Sequence, residues 1–428
     1  MTVFWFRRDL RLHDNVGLYH ALKEKGNVLP IFIFDTDILD KLPKDDARVN
    51  FIHDQLVKIN EKLQSVGSGI NIYHGKPLDI YQSIAKEFDI TAVYTNHDYE
   101  PYAQERDDEI RAFLNSENIE FNTFKDQVIF EKNDITKADG KPYVVYTPYS
   151  RKWLEAYTTP EDYDSEGLLE NCTKRNDFTF LSLEDIGFES TSIPVPNFIL
   201  NPKLIQEYEK TRNFPALDQT SKLGPHLRFG TVSVRQMVKQ AKKEENPTFL
   251  KELIWREFFM QILWHFPHTT DKSFKSQYDR IEWRNNEDEF KKWCEGNTGF
   301  PLVDAGMRQL NQTGFMHNRV RMLVGSFLCK HLLIDWRWGE AYFAEKLHDY
   351  EMASNIGNWQ WVAGSGVDAA PYFRIFNPTS QIQKFDKQLK YVSKWVPEFQ
   401  ELTYAKPIVD HKFARERCLA TYKEALNR

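Results

Sequence analysis

Nine of the eleven tryptophans in this 428-residue chain follow residue 200. Two of them, Trp359 and Trp361, stand one residue apart, just before the glycine-rich stretch at 364–366. An indole ring offers a flat face on which a nucleic-acid base can stack, and it is easily oxidised for a side chain. The pattern predicts base stacking or electron transfer by these rings, with an ordinary aromatic core as the alternative.

The segment ELIWREFF at 252–259 combines an acid, a cation and an indole within a predicted helix. Glu252 and Arg256 are four residues apart and share a helix face, and Trp255 and Phe259 lie beside them. A functional role is favoured because five tryptophans accumulate in the basic second half of the chain: Trp255, Trp283, Trp336, Trp359 and Trp361. A core aromatic stripe with a surface ion pair would have the same spacing.

The segment NRVRM at 318–322 places three different polar chemistries on one helical face. Asn318 is three residues before Arg321 and four before Met322, whereas Arg319 points to another face. An amide, a guanidinium and a thioether are thereby brought together. An ordinary amphipathic helix with paired charges is the alternative interpretation.

The segment TSKLGPHLRFGTVS at 220–233 clusters small hydroxyl side chains and glycines. Such a segment can wrap a phosphate with its hydroxyls and backbone amides. It can equally cap a helix, so the segment alone leaves both interpretations open.

The segment GSGVDA at 364–369 formally matches the dinucleotide-binding pattern G-x-G-x-x-A, with Asp386 near the expected ribose-binding position. No strand precedes it, and Pro371 and Pro378 prevent the long helix that would hold a pyrophosphate. We therefore predict no nicotinamide dinucleotide site here.

Five apolar, β-rich runs punctuate the first part of the chain, with helical patterns between them, at 2–6, 28–34, 70–73, 90–95 and 119–124. This alternation predicts an α/β fold with a mostly parallel sheet covered on both faces. The first run is followed by RRDLRLHDN rather than by a glycine-rich loop. The fold is therefore expected to be Rossmann-like without a dinucleotide fingerprint.

The chain from about residue 201 has helical periodicity, clearest at 248–266, 306–333 and 339–355. Asp304 is a candidate N-cap for the second of these stretches, and Gly314 is expected to interrupt it. The sequence thus predicts an all-α second domain.

These patterns divide the chain into an α/β domain at 1–125, a turn-rich connecting segment at 126–200 and a helical domain at 201–428. The first 200 residues carry a net charge of −13 and the remainder +7. A basic second half is typical of a domain that meets a polyanion, although two ordinary solvated surfaces would also differ in charge.

Composition excludes several other classes of protein. No stretch approaches 18 uncharged apolar residues, and the N-terminus lacks the pattern of a signal peptide. The four cysteines are too widely spaced for a zinc or iron–sulfur site. We therefore expect no metal, no membrane span, and free thiols in a reducing cytoplasm.

With these motifs in this order, the chain resembles the DNA photolyase/cryptochrome family, and within it the bacterial (class I) cyclobutane pyrimidine dimer photolyases. The resemblance covers nearly the whole chain. It is carried by FWFRRDLRLHDN, FPALDQTSKLGPHLRFGTVS, ELIWREFF, TGFPLVDAGMRQLNQTGFMHNRVRM, LLIDWRWGEAYF and NWQWVAGSGVDAAPYFRIFNPTSQIQKFD.

The resemblance implies an N-terminal α/β domain and a C-terminal all-α domain that binds FAD. It assigns contacts with FAD to Tyr208, Thr220, Ser221, Lys222, Leu223, Gly224, Phe249, Asn318, Arg321, Asp349, Tyr350, Glu351 and Asn355. It also implies that Arg321 and Asp349 form an ion pair beside the reactive edge of the flavin. Asn355 corresponds to the residue that faces flavin N5, and a neutral amide there favours a reduced, anionic working form.

The resemblance further implies an electron-transfer chain that runs from the surface to the flavin through Trp283, Trp336 and Trp359. The implied reaction is light-driven repair: excited reduced FAD passes an electron to a flipped-out pyrimidine dimer in ultraviolet-damaged DNA. Glu252 corresponds to the acid that hydrogen-bonds the damaged base. The substrate and DNA contacts correspond to Arg212, Glu252, Trp255, Arg256, Asn318, Arg319, Met322, Trp361 and Gln381.

Some positions depart from the family pattern. Lys222 and Gly224 stand where TSRLS is frequent, and Phe315 stands where tryptophan is frequent. A lysine presents a point charge rather than a fork, so the phosphate geometry is expected to differ. A second, light-harvesting chromophore occurs in some members, and Glu105 matches an acid that contacts a folate in some of them.

Three alternatives remain from this comparison: a cryptochrome acting as a blue-light receptor, a (6-4) photolyase, and a dark flavin oxidoreductase. A cryptochrome is expected to have a long C-terminal extension, whereas this sequence ends at Arg428. Asn318 and Met322 stand where histidines occur in (6-4) enzymes, and the oxidoreductase would need the dinucleotide site rejected above. We therefore expect a monomeric cytoplasmic enzyme that repairs cyclobutane dimers.

Overall fold

The computed structural model describes residues 1–427 and divides them into two compact units. The first unit comprises Met1–Asp134, Ala156–Asn197 and Leu223–Lys243, and the second comprises Ile135–Glu155, Phe198–Lys222 and the chain from Glu244 onward. These units differ from the boundaries expected at 125 and 200, because the connecting segment 126–200 contributes to both of them.

The first unit is built on a five-stranded, all-parallel sheet with strand order β3-β2-β1-β4-β5. Its strands are β1 (Thr2–Phe6), β2 (Val28–Asp35), β3 (Asn71–Gly75), β4 (Ala92–Asn96) and β5 (Glu120–Phe124). Each of the five predicted runs forms a strand. The predicted α/β fold of the N-terminal part is therefore confirmed.

Alternate side chains of the central strands are buried on opposite faces of the sheet. Val3 and Trp5 pack into one apolar cluster, and Phe4 and Phe6 pack into the other. Both faces are covered, as parallel sheets require. The helices that follow the strands are α1 (Val16–Glu24), α2 (Thr36–Leu39), α3 (Ala47–Gln64), α4 (Pro77–Glu87) and α5 (Pro101–Ser116).

The segment after β1 turns its charged side chains inward. Asp9, Arg11 and Asp14 are buried, and Arg11 Nη2 donates to both carboxylate oxygens of Asp126 at 2.7 Å. Asn15 then caps α1 by accepting a hydrogen bond from the backbone N–H of Leu18. This segment is a structural ion network in the place of a phosphate-binding loop.

Four helices follow in chain order, of which the last two belong to the first unit: α6 (Tyr146–Ala156), α7 (Pro202–Thr211), α8 (Gly224–Arg228) and α9 (Val234–Lys242). The rest of the second unit is helical, as predicted. Its helices are α10 (Thr248–His265), α11 (Glu287–Glu295), α12 (Pro301–Thr313), α13 (Asn318–Ser326), α14 (Trp336–Lys346), α15 (Met352–Ala363), α16 (Pro378–Phe385), α17 (Lys390–Trp395) and α18 (His411–Asn427).

Two expectations about helix limits are wrong. The predicted helix at 339–355 is divided into α14 and α15, because the chain leaves the helical conformation over 347–351. Asp304 does not cap α12, which begins at Pro301; its buried carboxylate instead accepts hydrogen bonds from Thr298 and Gly299. Gly314 does end α12, in the left-handed conformation with φ 64°.

The second unit has a large apolar core around its indoles. Trp293, Trp336 and Trp359 belong to one cluster of buried side chains, against which Trp283 and Trp361 pack. The four cysteines are free thiols. Within residues 1–427 no helix is long and apolar enough to cross a membrane, and no group of three or more potential metal ligands occurs.

Candidate active site

The second unit contains a cavity of about 490 Å³ that is lined mainly by helices α10, α13 and α15 and by the break between α14 and α15. Helix α10 contributes one face, with Glu252, Trp255, Arg256 and Phe259 at the spacing i, i+3, i+4 and i+7. This spacing aims the four side chains at the same space because successive helical turns place them above one another. An acid, an indole, a cation and a phenyl ring therefore face the cavity together.

Glu252 is paired with a residue distant in sequence rather than with its helical neighbour. Its Oε1 accepts a short hydrogen bond from Arg212 Nη1, and both side chains are about one-third exposed or less. Burial raises the pKa of Glu252 above its usual value, and the positive charge of Arg212 only partly opposes that rise. The carboxyl is thereby poised to carry a proton at higher pH than an ordinary glutamate.

Helix α13 presents a second face of mixed chemistry. Asn318, Arg321 and Met322 line the cavity, as their spacing predicts, whereas Arg319 turns away and donates to Asn213 Oδ1 at 2.5 Å. The helix begins at Asn318 because the ring nitrogen Nδ1 of His317 accepts the backbone N–H of Arg319 at 3.2 Å.

Arg321 and Asp349 form a two-pronged ion pair at the cavity wall. Arg321 Nη1 donates to Asp349 Oδ1 at 3.1 Å, and Nη2 donates to Oδ2 at 2.8 Å. Arg321 Nε also donates to the carbonyl oxygen of Met316 at 2.7 Å. Because all three nitrogen positions are engaged, the guanidinium plane is fixed in orientation.

The break between α14 and α15 brings Asp349, Tyr350 and Glu351 to the cavity, and α15 adds Asn355. The Nδ2 of Asn355 donates to the carbonyl oxygen and to Oε1 of Glu340, at 3.1 Å and 3.0 Å. These bonds fix the amide plane and leave the amide oxygen as the atom that can accept a hydrogen bond. Burial raises the pKa of Glu340.

Trp359 and Trp361 have different surroundings. Trp359 is buried and lines the cavity, with its ring centroid 5.0 Å from Phe343 and 6.2 Å from Trp293. Helix α14 approaches Trp359 closely because it carries Gly339, where an added Cβ would lie 2.1 Å from the indole. Trp361 is half-buried and also lines the cavity.

The other two members of the implied electron-transfer chain lie outside the cavity lining. Trp336 is buried, and its Nε1 has no hydrogen-bond partner in the part of the chain that the structure describes. Trp283 is half-buried and packs edge-on against Tyr422, with ring centroids 6.0 Å apart. The core cluster therefore connects the cavity to a partly exposed indole.

The segment predicted to wrap a phosphate does not have the regular geometry of a helix cap. Lys222 has a positive φ of 55°, its Nζ donates to Asp218 at 2.7 Å, and it lies 3.6 Å from the centre of the Phe315 ring. The hydroxyl of Thr220 is buried without a hydrogen-bond partner among the described residues. Ser221 accepts from the backbone of Ile199 through its carbonyl oxygen at 2.8 Å.

The remaining residues assigned to the cofactor occupy separate positions. Tyr208 lines the cavity and packs edge-on against buried Phe249, with ring centroids 5.3 Å apart. Leu223 and Gly224 lie at the start of α8, which belongs to the first unit. Glu105, in the same unit, is an exposed residue of α5.

Arginines gather beside the cavity. Burial lowers the pKa of Arg319, and the positive charges of Arg212 and Arg374 lower it further. Arg319 therefore has two positive charges in its neighbourhood, and such a group of arginines is the arrangement expected of a surface that binds phosphates. Gln381 is a half-buried residue of α16.

Sequence reasoning missed Glu340 and Trp293, although both contact residues that it singled out. Neither stands in a motif that marks it: Glu340 reads as a helix-surface acid and Trp293 as a core indole. Their importance comes from contacts between helices, which no local spacing reveals.

The cavity thus combines a fixed ion pair, a fixed amide, a carboxyl whose pKa is raised by burial, and indole walls. Flat conjugated ligands suit such a site because the indoles stack and the polar groups hydrogen-bond at their edges. Nothing in this donor set resembles a hydrolytic triad.

Two family models match the chain. The model described as DNA photolyase matches residues 2–165, and the model described as the FAD-binding domain of DNA photolyase matches residues 249–403.

Curated relatives match along the whole length. The deoxyribodipyrimidine photo-lyase of Halobacterium salinarum is 34% identical over 99% of this chain and 99% of its own length. That of Agrobacterium fabrum is 36% identical over 98% of this chain and 97% of its own length.

Solved structures match equally fully. A bacterial class III photolyase from Agrobacterium tumefaciens superposes with a TM-score of 0.89 at 34% identity, covering 100% of this chain and 98% of its own. An archaeal photolyase from Sulfolobus tokodaii with two FAD molecules gives 0.86 at 34% identity, covering 99% of each chain. A cryptochrome from Synechocystis gives 0.86 at 25% identity, covering 98% and 99%. With full-length identity of this order, the chain belongs to the DNA photolyase family and contains its FAD-binding domain.

Proposed function

We propose that this protein is a deoxyribodipyrimidine photolyase that uses reduced FAD and light to split cyclobutane pyrimidine dimers in DNA. The observation that carries the proposal is that Trp255, Trp361 and Glu252, whose pKa is raised, line the same cavity as the Arg321–Asp349 pair and Asn355. Stacking surfaces for a base and polar anchors for a flavin thus border the same space.

The residues present fit a bound FAD. A buried Thr220 hydroxyl without a partner among the described residues can donate to a phosphate, and Lys222 adds a positive charge. The Arg321–Asp349 pair and the Asn355 amide offer hydrogen-bonding groups to the edge of the ring. When bound and reduced, FAD supplies on illumination the electron that opens the cyclobutane ring.

The chain's own residues bind and orient the dimer. Trp255 and Trp361 present aromatic surface to two bases that have left the duplex, and the surrounding side chains exclude water. Protonated Glu252 donates a hydrogen bond to a base oxygen, which requires Arg212 to release that carboxyl. Arg319 and Arg374 attract the backbone phosphates on either side.

A second chromophore is a further part of the proposal. The Sulfolobus tokodaii photolyase structure holds two FAD molecules, which supports a light-harvesting cofactor in this chain too. Extraction of the purified protein, followed by a spectrum and mass measurement, identifies any pigment present besides the flavin.

The deciding experiment is a repair assay with the FAD-loaded, chemically reduced protein. A duplex oligonucleotide carrying one thymine dimer is illuminated with blue light, and restored thymines are counted by chromatography. We expect repair under illumination and none in darkness.

Two control substrates separate the alternatives. A duplex with a (6-4) lesion is expected to remain unchanged, and its repair would assign the enzyme to the other lesion class. Binding of FAD with no repair of either lesion would support a cryptochrome, for which the Synechocystis structure provides the precedent.

A further inference from the structure

We propose that Tyr146 is a positioning residue that holds the Trp255 indole as a rigid wall of the dimer pocket. The inference rests on the proposed function, since it assigns a role to Tyr146 only if Trp255 stacks on a base. Tyr146 lies in the segment expected to be a connector, and nothing in its sequence surroundings marks it as part of a site.

The two rings are stacked face to face. Their centroids are 3.6 Å apart and their planes differ by 5°. Tyr146 is buried, whereas Trp255 is half-buried and lines the cavity. Tyr146 therefore covers one face of the indole and leaves the remainder for the cavity.

Tyr146 is itself held at both ends. Its hydroxyl donates to the carbonyl oxygen of Lys251 at 2.8 Å, on the helical turn that precedes Trp255. Its backbone N–H donates to Asp368 Oδ2 at 3.2 Å. Burial and the negative charge of Glu252 raise the pKa of the phenol, so it remains a donor.

The helix that begins at Tyr146 is also fastened to the helix that carries Trp255. The indole Nε1 of Trp153 donates to Glu257 Oε1 at 2.5 Å, between buried side chains. Gln261 Nε2 donates to the carbonyl oxygen of Ile135 at 3.0 Å, where the segment starts. Tyr146 thus moves with α10 rather than as part of a flexible connector.

The remaining neighbours of Trp255 do not replace this support. Phe258 meets it edge-on at 5.6 Å, and Phe259 lies 5.5 Å away at 28°. Without the Tyr146 ring, the indole gains rotational freedom that a bound base must then remove. Ordering one large side chain typically weakens binding by about fivefold to tenfold.

The test compares three variants with the wild-type protein, all loaded with FAD. Tyr146→Met fills the volume without a flat face, Tyr146→Phe keeps the face and removes the hydroxyl, and Tyr149→Leu is the matched control. Tyr149 is buried on the same helix and packs on Phe258, with ring centroids 5.2 Å apart, whereas Tyr146 meets Phe258 edge-on at 5.9 Å and stacks on Trp255. Dissociation constants are measured in darkness for a duplex with one thymine dimer and for the same duplex undamaged.

We expect Tyr146→Met to lower the preference for the damaged duplex by about fivefold to tenfold, with FAD content unchanged. Tyr146→Phe restores the preference to within about twofold of wild type, since the stacked face is retained. Tyr149→Leu is expected to lower the melting temperature without changing the preference, because the ring that it removes packs on Phe258. If Tyr146→Met does not fold, Tyr146→Leu is judged by the same criterion.

Two results overturn the inference: a folded Tyr146→Met protein with wild-type preference, or an equal loss of preference in Tyr149→Leu. If the wild-type protein does not distinguish the two duplexes, the proposed function is contradicted instead. The preference of the wild type is therefore measured before any variant is compared.

Discussion

Glu252 links a measurable ionisation to the binding of a damaged base. Its pKa is raised by burial, so the protonated form persists to higher pH than in an ordinary glutamate. Only the protonated carboxyl can donate to a base oxygen, whereas the carboxylate repels that oxygen. Affinity for a dimer should therefore be present below the raised pKa and be lost as the pH increases through it.

The variant Glu252→Gln separates this effect from general changes with pH. A glutamine carries its N–H donor at every pH, so its dimer affinity should be independent of pH over this range. The wild-type protein should lose about fivefold in affinity at the alkaline end, the value of one hydrogen bond. Binding titrations at constant ionic strength measure both profiles, and two parallel profiles would contradict the assignment.

Glu340 acts on the cavity through Asn355 and does not line it. In Glu340→Leu the Asn355 Nδ2 keeps the backbone carbonyl of this position as an acceptor but loses the side-chain carboxyl, so one of its two hydrogen bonds is removed and the amide is less firmly oriented. If Asn355 faces the flavin as proposed, we expect reduced FAD in this variant to be reoxidised by air several-fold faster, since the amide is less firmly oriented. Flavin absorbance after a pulse of oxygen gives the rate.

The matched control is Glu345→Leu, which removes an exposed acid from the same helix. It should reoxidise at the wild-type rate. Equal rates in wild type and Glu340→Leu would mean that Asn355 is held well enough by its other neighbours.

At the scale of elements, the first unit was largely readable from sequence and the second unit less so. The strand Val28–Asp35 is buried at every position, and a continuous apolar run in the sequence predicts such a strand. The break over 347–351 could not be read, because the helical period continues through it. It is stabilised by the backbone N–H of His348, which donates to the carbonyl oxygen of Gly314 at 2.9 Å.

The same distinction explains which site residues could be anticipated. Asn318, Arg321 and Met322 share a face through helical spacing alone, and the cavity contains all three. The pairing of Glu252 with Arg212 joins residues forty positions apart, so no local pattern could select it over the neighbour Arg256. Spacing predicts what one helix presents, and tertiary packing decides what that face meets.

His317 shows how one element depends on pH. It is buried at the start of α13, and burial together with nearby positive charges lowers its pKa to about 4. The unfolded chain binds this proton near the ordinary value of about 6.5. The neutral ring therefore stabilises the fold above that value, and about 3 kcal/mol is lost as the pH falls from 6.5 to 4.

The variant His317→Asn keeps a cap for the helix but has no proton to bind. Its free energy of unfolding should be lower at neutral pH because a buried ring is lost. Between pH 6.5 and 4, however, it should decline by about 3 kcal/mol less than that of the wild type. Denaturant titrations at several pH values, with FAD kept saturating, give both slopes, and identical slopes would contradict the role of His317.

At the scale of the whole molecule, the indole cluster predicts that a mutation can separate light-driven reduction of FAD from repair of the dimer. Trp359 lines the cavity, buried Trp336 shares its core cluster, and Trp283 reaches partial exposure. Trp359→Phe should abolish light-driven reduction of oxidised FAD, yet retain repair when FAD is reduced chemically. Loss of both activities would place Trp359 in the dimer pocket instead.

The positive charge of the C-terminal half predicts how salt weakens DNA binding. Residues 201–428 carry a net charge of +7, and Arg212, Arg319 and Arg374 lie near one another beside the cavity. Each phosphate that is neutralised releases a counterion, so the logarithm of the binding constant falls with the logarithm of salt concentration by about 0.9 per contact. Replacing Arg374 by glutamine should reduce this slope by about one, equally for damaged and undamaged duplexes.

The control replaces Arg111, a partly exposed residue of α5 in the first unit that pairs with Asp108 at 2.5 Å. Because its charge lies on the acidic half of the sequence, Arg111→Gln should leave the slope unchanged. Arg319→Gln should resemble Arg374→Gln in slope. If the slope changes in Arg111→Gln but not in the other two variants, the DNA-binding surface lies on the first unit. If Arg374→Gln changes the slope only for damaged DNA, that arginine takes part in lesion recognition instead.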